Sequence, residues 1–138
     1  TANGGVMYIR LEDEDEEISV INSINANNIN GDCYMKKGSF DANFGGNIDS
    51  DSSCDLANLE DISGADPKFM LIPNRVYYYT VLPGSPVLDT AVDYYCMDDD
   101  QIGNARPSDD DFDGVAQCDR GAIEGVGIKK EIVPGILN

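Results

Sequence analysis

Short apolar runs alternate along the chain with long polar, turn-rich intervals, and apolar residues rarely recur at helical spacing. Val6–Leu11 (VMYIRL) is a β-branched and aromatic run of strand length. From Ile18 to Asn28 (ISVINSINANN) the pattern has period two, which places Ile18, Val20, Asn22, Ile24, Ala26 and Asn28 on one face of a strand. Asparagine on that face has two readings. The strand simply ends at Asn27-Asn28, or the amides turn inward and bond the backbone of a neighbouring coil in a stacked solenoid. Between Gly31 and Pro67 the pattern dissolves into Gly, Asn, Asp and Ser, leaving Phe44–Ile48 and Leu56–Ile62 as short segments between turns. Asp66-Pro67 forces an extended or turn conformation, and Ile72-Pro73-Asn74 makes another turn. Val76–Leu82 (VYYYTVL) carries the strongest strand signal. From Leu82 to Glu124, three Pro/Gly-punctuated blocks (LPGSPVLDTAVDYYC, DQIGNARP and CDRGAIE) predict irregular cap or loop structure held by cross-links. Gly125–Asn138 is an extended, mildly apolar tail. The pattern predicts an all-β protein of short strands and long turns. Residues 1–81 hold the strands and the first cysteine loop, 82–124 the cap and 125–138 the tail of a single domain.

A length of 138 residues allows one core and little room for a second. Against 26 acidic residues stand only 9 basic ones, a net charge of −17. Nucleic-acid backbones and anionic membranes are therefore poor partners, because both need clustered Lys and Arg. The unbroken acidic run Glu12–Glu17 reads as a solvated loop or hairpin tip, since consecutive side chains diverge and do not converge on one ion. The chain has no histidine, which excludes imidazole catalysis and His-ligated zinc within it. Cys33, Cys54, Cys96 and Cys118 allow three pairings. No CxxC spacing occurs, which argues against a metal–thiolate site. Separations of 21 and 22 residues suit two consecutive loops, Cys33–Cys54 and Cys96–Cys118. Each bridge would stabilise by roughly 3 kcal/mol in an oxidising compartment. Four reduced thiols in a cytosolic protein are the alternative, and the acidic, Asn/Asp/Gly-rich composition argues for secretion. No stretch reaches the roughly 18 apolar residues of a membrane-spanning helix. No signal peptide is legible, and the first residue is Thr1, as expected of a processed protein and equally of a fragment.

Several ordered blocks carry a resemblance. They are Gly46-Asn47-Ile48-Asp49-Ser50-Asp51-Ser52-Ser53-Cys54, Asp66-Pro67-Lys68-Phe69, Leu82-Pro83-Gly84-Ser85-Pro86-Val87-Leu88-Asp89, Asp100-Gln101-Ile102-Gly103-Asn104-Ala105-Arg106-Pro107 and Cys118-Asp119-Arg120-Gly121-Ala122-Ile123-Glu124. In order and spacing, over residues 18–124, the chain resembles the C-terminal region of bacterial surface proteins with right-handed parallel β-helix folds, of the choice-of-anchor Q type. It departs from that pattern at Ile102, where Arg is usual, at Thr90-Ala91 after Asp89, and across 74–79. The resemblance implies the terminal coils of a right-handed parallel β-helix with a disulfide-braced, loop-rich C-terminal cap. It also implies a secreted or bacterial cell-surface location. Only one or two coils precede the cap, and a coil does not bury its apolar face alone. The expected partner is thus a second copy or another chain of a surface assembly, with no nucleic acid and no membrane insertion.

The sharpest ligand signal is Ser108–Gly114 (SDDDFDG), in which Asp109, Asp111 and Asp113 precede Gly114. Alternate carboxylates with a glycine turn suit a hard cation such as Ca2+, and a solvated acidic turn is the plainer reading. A full EF-hand is excluded, because Arg120 stands where its bidentate glutamate belongs. Asp49, Asp51 and Asp55 make a weaker set. Arg106 is expected to brace the cap by forking onto a carboxylate such as Asp89, Asp100 or Asp119, with Glu124 also a structural partner. No cofactor is required. A non-enzymatic structural or adhesive module, a filament subunit in its concrete form, is the favoured function. A carbohydrate-binding or carbohydrate-active β-helix fragment, with Tyr77–Tyr79 or Tyr94 and Tyr95 as stacking surfaces, is the alternative.

Overall fold

The computed structural model describes residues 7–9, 18–35, 42–70 and 78–125. Glu12–Glu17, Tyr77 and the tail beyond Gly125 lie outside the described residues. Within them the chain forms β1 (Met7–Ile9), β2 (Ser19–Val20), β3 (Ile24–Asn25), β4 (Cys33–Met35), β5 (Ala42–Asn43), β6 (Ile48–Asp49), β7 (Ile62–Ser63), β8 (Phe69–Met70) and β9 (Thr80–Val81). A single 3-10 turn at Asp93–Tyr95 is the only helical element among these residues. The expected all-β character, with short strands and long turns, is what the chain adopts.

The strands pair in a repeating order. β1 lies parallel to β4, β2 to β5 and β3 to β6, so each strand meets the one three places further along. Met7 faces Cys33, Ser19 faces Ala42 and Ile24 faces Ile48, offsets of 26, 23 and 24 residues. β7 adds to the far edge of β6 with Ile62 opposite Ile48, and β8 pairs antiparallel with β9. Four of the nine strands fall in 31–67, where the sequence showed only the short segments Phe44–Ile48 and Leu56–Ile62 between turns. Two- and three-residue strands are too short to display alternation, so their positions are set by pairing with the preceding turn of chain.

The strand expected over Ile18–Asn28 is broken into β2 and β3 by Asn22, whose φ of 44° turns the chain. Asparagine tolerates this left-handed conformation better than most residues. The two asparagines on the predicted face do not bridge neighbouring passes of chain. Asn22 donates its Nδ2 to the Val92 carbonyl (3.2 Å) and accepts from the Val92 N–H (2.8 Å), tying this corner to the cap. Asn28 donates to Asp32 Oδ1 (3.0 Å) and to the Ala26 carbonyl (3.1 Å), closing a local turn. The bridging amide belongs to Asn47. Fully buried, it accepts from Ser23 N–H (3.0 Å) and donates to the Val20 carbonyl (3.3 Å). One pass further on, Asp61 Oδ1 accepts the Asn47 N–H at 2.8 Å. Ser23, Asn47 and Asp61 each precede the stacked isoleucines Ile24, Ile48 and Ile62, so these bonds lock the register of the sheet.

The core lies on one face of that sheet. Ile48, Val81, Val87 and Leu88 are buried, with Ile24, Ile62, Ala65 and Phe69 packed around them. Of the strand expected over Val76–Leu82, the described residues 78–82 are strand only at β9, and Tyr79, 57% exposed, tilts against Phe69 at 5.2 Å between ring centroids. Gly121 crosses Ile24 so closely that a Cβ there would stand 2.8 Å from Ile24 Cδ1, and its φ of 89° disfavours a side chain as well. The two disulfides are Cys33–Cys54 and Cys96–Cys118, with Cα separations of 4.8 Å and 6.1 Å. The first ties β4 to the turn after β6, and the second ties the 3-10 turn to the end of the cap. Two disulfides point to an oxidising, non-cytoplasmic compartment. No helix among the described residues is long and apolar enough to cross a membrane.

Candidate functional site

The cap folds around acidic side chains that accept backbone N–H groups, in place of the regular ladders its sequence lacks. Asp100 Oδ1 accepts from the Ile102 (2.9 Å) and Asn104 (2.8 Å) amides, and its Oδ2 accepts from the Glu124 N–H (3.0 Å). Asp89, with a φ of 53°, accepts from the amides of Asp110 (2.9 Å), Asp111 (2.6 Å) and Gln117 (3.4 Å). Asp119 Oδ1 accepts the Asp89 N–H at 2.8 Å and its Oδ2 the Gly125 N–H at 2.7 Å.

Arg106 meets a carboxylate through one nitrogen only, and that carboxylate belongs to Glu124 and not to Asp89, Asp100 or Asp119. Its Nε meets Glu124 Oε2 at 2.6 Å, a salt bridge whose side chains are 8% and 2% exposed. It reaches Asp119 only through that residue's main-chain carbonyl, and Gly121 through its carbonyl at 3.2 Å. Glu124 also accepts from the Asp119 (3.1 Å) and Ser108 (2.9 Å) amides. Asp89, Asp100, Arg106, Asp119 and Glu124 thus form one connected network.

Two groups of carboxylates converge among the described residues: Asp89 with Asp109 and Asp111, and Asp110 with Asp119 and Glu124. Of the proposed cation ligands, Asp109 and Asp111 come together. Asp113 does not join them. Its Oδ1 accepts the Val115 N–H at 2.8 Å, and Asp89 supplies the third carboxylate. Asp109 Oδ1 is buried without a hydrogen-bond partner. The weaker set separates into turn acceptors. Asp49 takes the Cys54 and Gly64 amides at 3.0 and 3.1 Å, Asp51 takes those of Asp32 and Ser53 at 3.2 and 3.0 Å, and Asp55 is exposed.

Burial sets the titration of this region. Asp119, fully buried, is pushed up to about 7 by desolvation. The amides of Gly125 and Asp89 oppose the shift, and the charges of Glu124 and Asp110 add to it. Asp89 is also raised, first by desolvation, against its backbone hydrogen bonds. At Asp100, burial pulls upward, but the combined hydrogen bonds from Glu124, Asn104 and Ile102 hold the group below its ordinary value. Between about pH 4 and pH 7 the folded chain therefore holds a proton on Asp119 that the unfolded chain has released. Stability should rise as pH falls from 7 toward 4, by an amount on the order of a few kcal/mol. Below that window it should fall as Asp100 and other lowered carboxylates protonate. Urea denaturation across this range checks the sign, and Asp119→Asn should flatten most of the rise.

Sequence reasoning missed Asp32 and Arg120. Asp32, fully buried, accepts Ser50 N (2.7 Å), Ser50 Oγ (2.6 Å) and Asn28 N (3.1 Å). Arg120 is 4% exposed and donates to Thr90 Oγ1 and to the Asn47 carbonyl, both at 2.8 Å. It buttresses the bridging asparagine from the cap. A lone arginine in CDRGAIE gave no sign of this; only the fold brings it to Asn47. Among the described residues, two aromatic surfaces are open. Tyr94 (87% exposed) meets Tyr95 edge-on at 4.9 Å, and Tyr95 adjoins Phe44 at 5.6 Å. Phe69, Tyr78 and Tyr79 border a cleft of about 620 Å³ beside β3. No protein-family model, curated protein or solved structure matches this chain.

Proposed function

We propose that this chain is a secreted, non-enzymatic structural or adhesive module, formed by two stacked coils of a right-handed parallel β-helix and a C-terminal cap, of the choice-of-anchor Q type it resembles. The observation that carries the reading is the pairing of β1, β2 and β3 with β4, β5 and β6 in one constant order and near-constant offset. That is the pairing expected of a chain that winds and stacks on itself. The commitment of cap carboxylates to backbone amides supports a bracing role for them over acid–base chemistry. So short a stack leaves strand edges for another chain to cover, and a subunit of a surface assembly or filament is the concrete form. Electron microscopy of the oxidised protein tests this. Ordered filaments or discrete oligomers are expected, and monodisperse monomers at all concentrations would sink it.

Ca2+ fits the Asp89, Asp109 and Asp111 group as a cap-stabilising ion, because the partnerless Asp109 oxygen is a ready ligand for a hard cation. Adding millimolar Ca2+ to chelator-treated protein should raise the melting temperature by several degrees, and Asp111→Asn should remove the rise. No shift in either protein would reject the ion. The alternative of glycan binding draws on the exposed Phe44, Tyr95 and Tyr94 rings. A glycan array separates it from assembly.

A further inference from the structure

The cleft beside β3 has an open rim and a buried floor. Tyr79, Gln101 and Ala122 are exposed at the rim, and Asn25, Val87 and Arg120 are buried below them. Phe69 also lines the cleft and tilts against Tyr79 at 5.2 Å, so the two rings make one aromatic wall. Two of the buried side chains keep unused hydrogen-bonding groups. Arg120, 4% exposed, commits Nε to Thr90 Oγ1 and Nη1 to the Asn47 carbonyl, and its Nη2 has no partner among the described residues. Neither acceptor is a carboxylate, and among the described residues Arg120 has no ion-pair partner. Burial works against its charge, and the carboxylates of Asp61 and Glu60 oppose that only from further off. Asn25, 5% exposed, gives its carbonyl to the Ser50 amide at 3.1 Å, while its side-chain amide bonds nothing among the described residues. Buried polar groups are as a rule paired, so two incomplete ones lining the same cleft mark a place for a polar ligand. In a chain of net charge −17, the only charged side chain among the described lining residues is a cation.

We propose that this cleft binds a carboxylate-bearing saccharide, with its carboxylate on Arg120, its ring against Phe69 and Tyr79 and its hydroxyls on Asn25. The proposal rests on the glycan-binding alternative, names its ligand class and places it here instead of on the Phe44, Tyr95 and Tyr94 rings. Each part of the lining removes a competitor. A neutral saccharide would leave the guanidinium without an anion, a simple aliphatic acid would leave the rings uncovered, and an aromatic acid would leave the Asn25 amide unpaired. A sugar acid meets all three needs, because its ring offers C–H groups on one face and hydroxyls around its edge. Of the five N–H donors of a guanidinium, two are committed to Thr90 and Asn47, so donors remain for a carboxylate oxygen. Such a charge-assisted bond is stronger than a neutral one, and stronger still on a floor that holds little water. The acidic remainder of the chain repels anions, but that field is screened over about 8 Å at physiological ionic strength, so contacts on the floor decide. A volume of about 620 Å³ suits a ligand of one or two rings.

Calorimetric titration of the oxidised full chain with digalacturonate and with sialyllactose tests this, with galactobiose and lactose as their neutral counterparts. At least one acidic saccharide should bind, and its neutral counterpart should bind about tenfold more weakly. Tyr79→Ala, at an exposed position, should weaken that binding about fivefold, and Tyr94→Ala should leave it unchanged. Arg120→Gln should erase the preference for the acid while keeping the wild-type circular dichroism. If that variant unfolds, the comparison of acid with neutral sugar and the Tyr79→Ala result still decide. Sodium acetate at matched concentration should not displace the saccharide, and full displacement would mean that the site reads a carboxylate alone. Equal binding of acidic and neutral sugars, or loss of binding in Tyr94→Ala but not in Tyr79→Ala, would overturn the cleft site and leave the glycan-binding reading standing. If neither acidic saccharide binds, the cleft proposal falls, and if the neutral ones fail as well, the glycan-binding reading falls with it.

Discussion

Glu124→Ala should destabilise the protein by about 3–5 kcal/mol, the usual cost of removing one partner from a buried ion pair. The substitution strands the Arg106 guanidinium, whose side chain is 8% exposed, and orphans the amides of Ser108 and Asp119. Replacing Arg106 and Glu124 together with Met and Leu should recover a substantial part of the loss, because no unpaired charge is then left inside. Chemical denaturation of the single and double variants measures both. A loss below about 1 kcal/mol for Glu124→Ala would mean that the cap is not organised around this carboxylate.

Removing the Cys33–Cys54 bridge should have a comparable effect. It closes a loop of 21 residues, for which chain entropy predicts about 3 kcal/mol. Both cysteines are buried, and the Cys54 N–H binds Asp49 Oδ2, so the bridge also holds the turn that buries Asp49 beneath the sheet. Cys33→Ser/Cys54→Ser should lower the melting temperature by about 10 °C or more on the usual conversion for a domain of this size. The unfolding transition of that variant against wild type decides the point, and an unchanged midpoint would contradict the structural role of the bridge.

The legible features were those that depend on local chemistry. Pro/Gly punctuation between Leu82 and Glu124 announced an irregular cap, and the lack of helical spacing announced β structure. The members of the cap network stood in recognisable blocks, but their partners did not. Arg106 pairs with Glu124, 18 residues away, because the chain returns there beneath Asp119. Asp89 replaces Asp113 among the converging carboxylates for the same reason: its closeness to Asp109 exists only after folding. The continuous strand over Ile18–Asn28 failed at Asn22. An asparagine on the apolar face is compatible with an amide turned inward and equally with a left-handed corner. Its bonds to Val92, 70 residues further on, decide for the corner. The two-residue strands β5, β6 and β7 left no alternation to read, since that needs about four residues to register, and only the short apolar segments ending at Ile48 and Ile62 marked the last two.

The claim that joins fold to function is that so short a stack is completed by another chain. Sedimentation velocity of the oxidised protein, from dilute to concentrated, tests it most directly. The account predicts association that grows with concentration. A monomer at every concentration would contradict it.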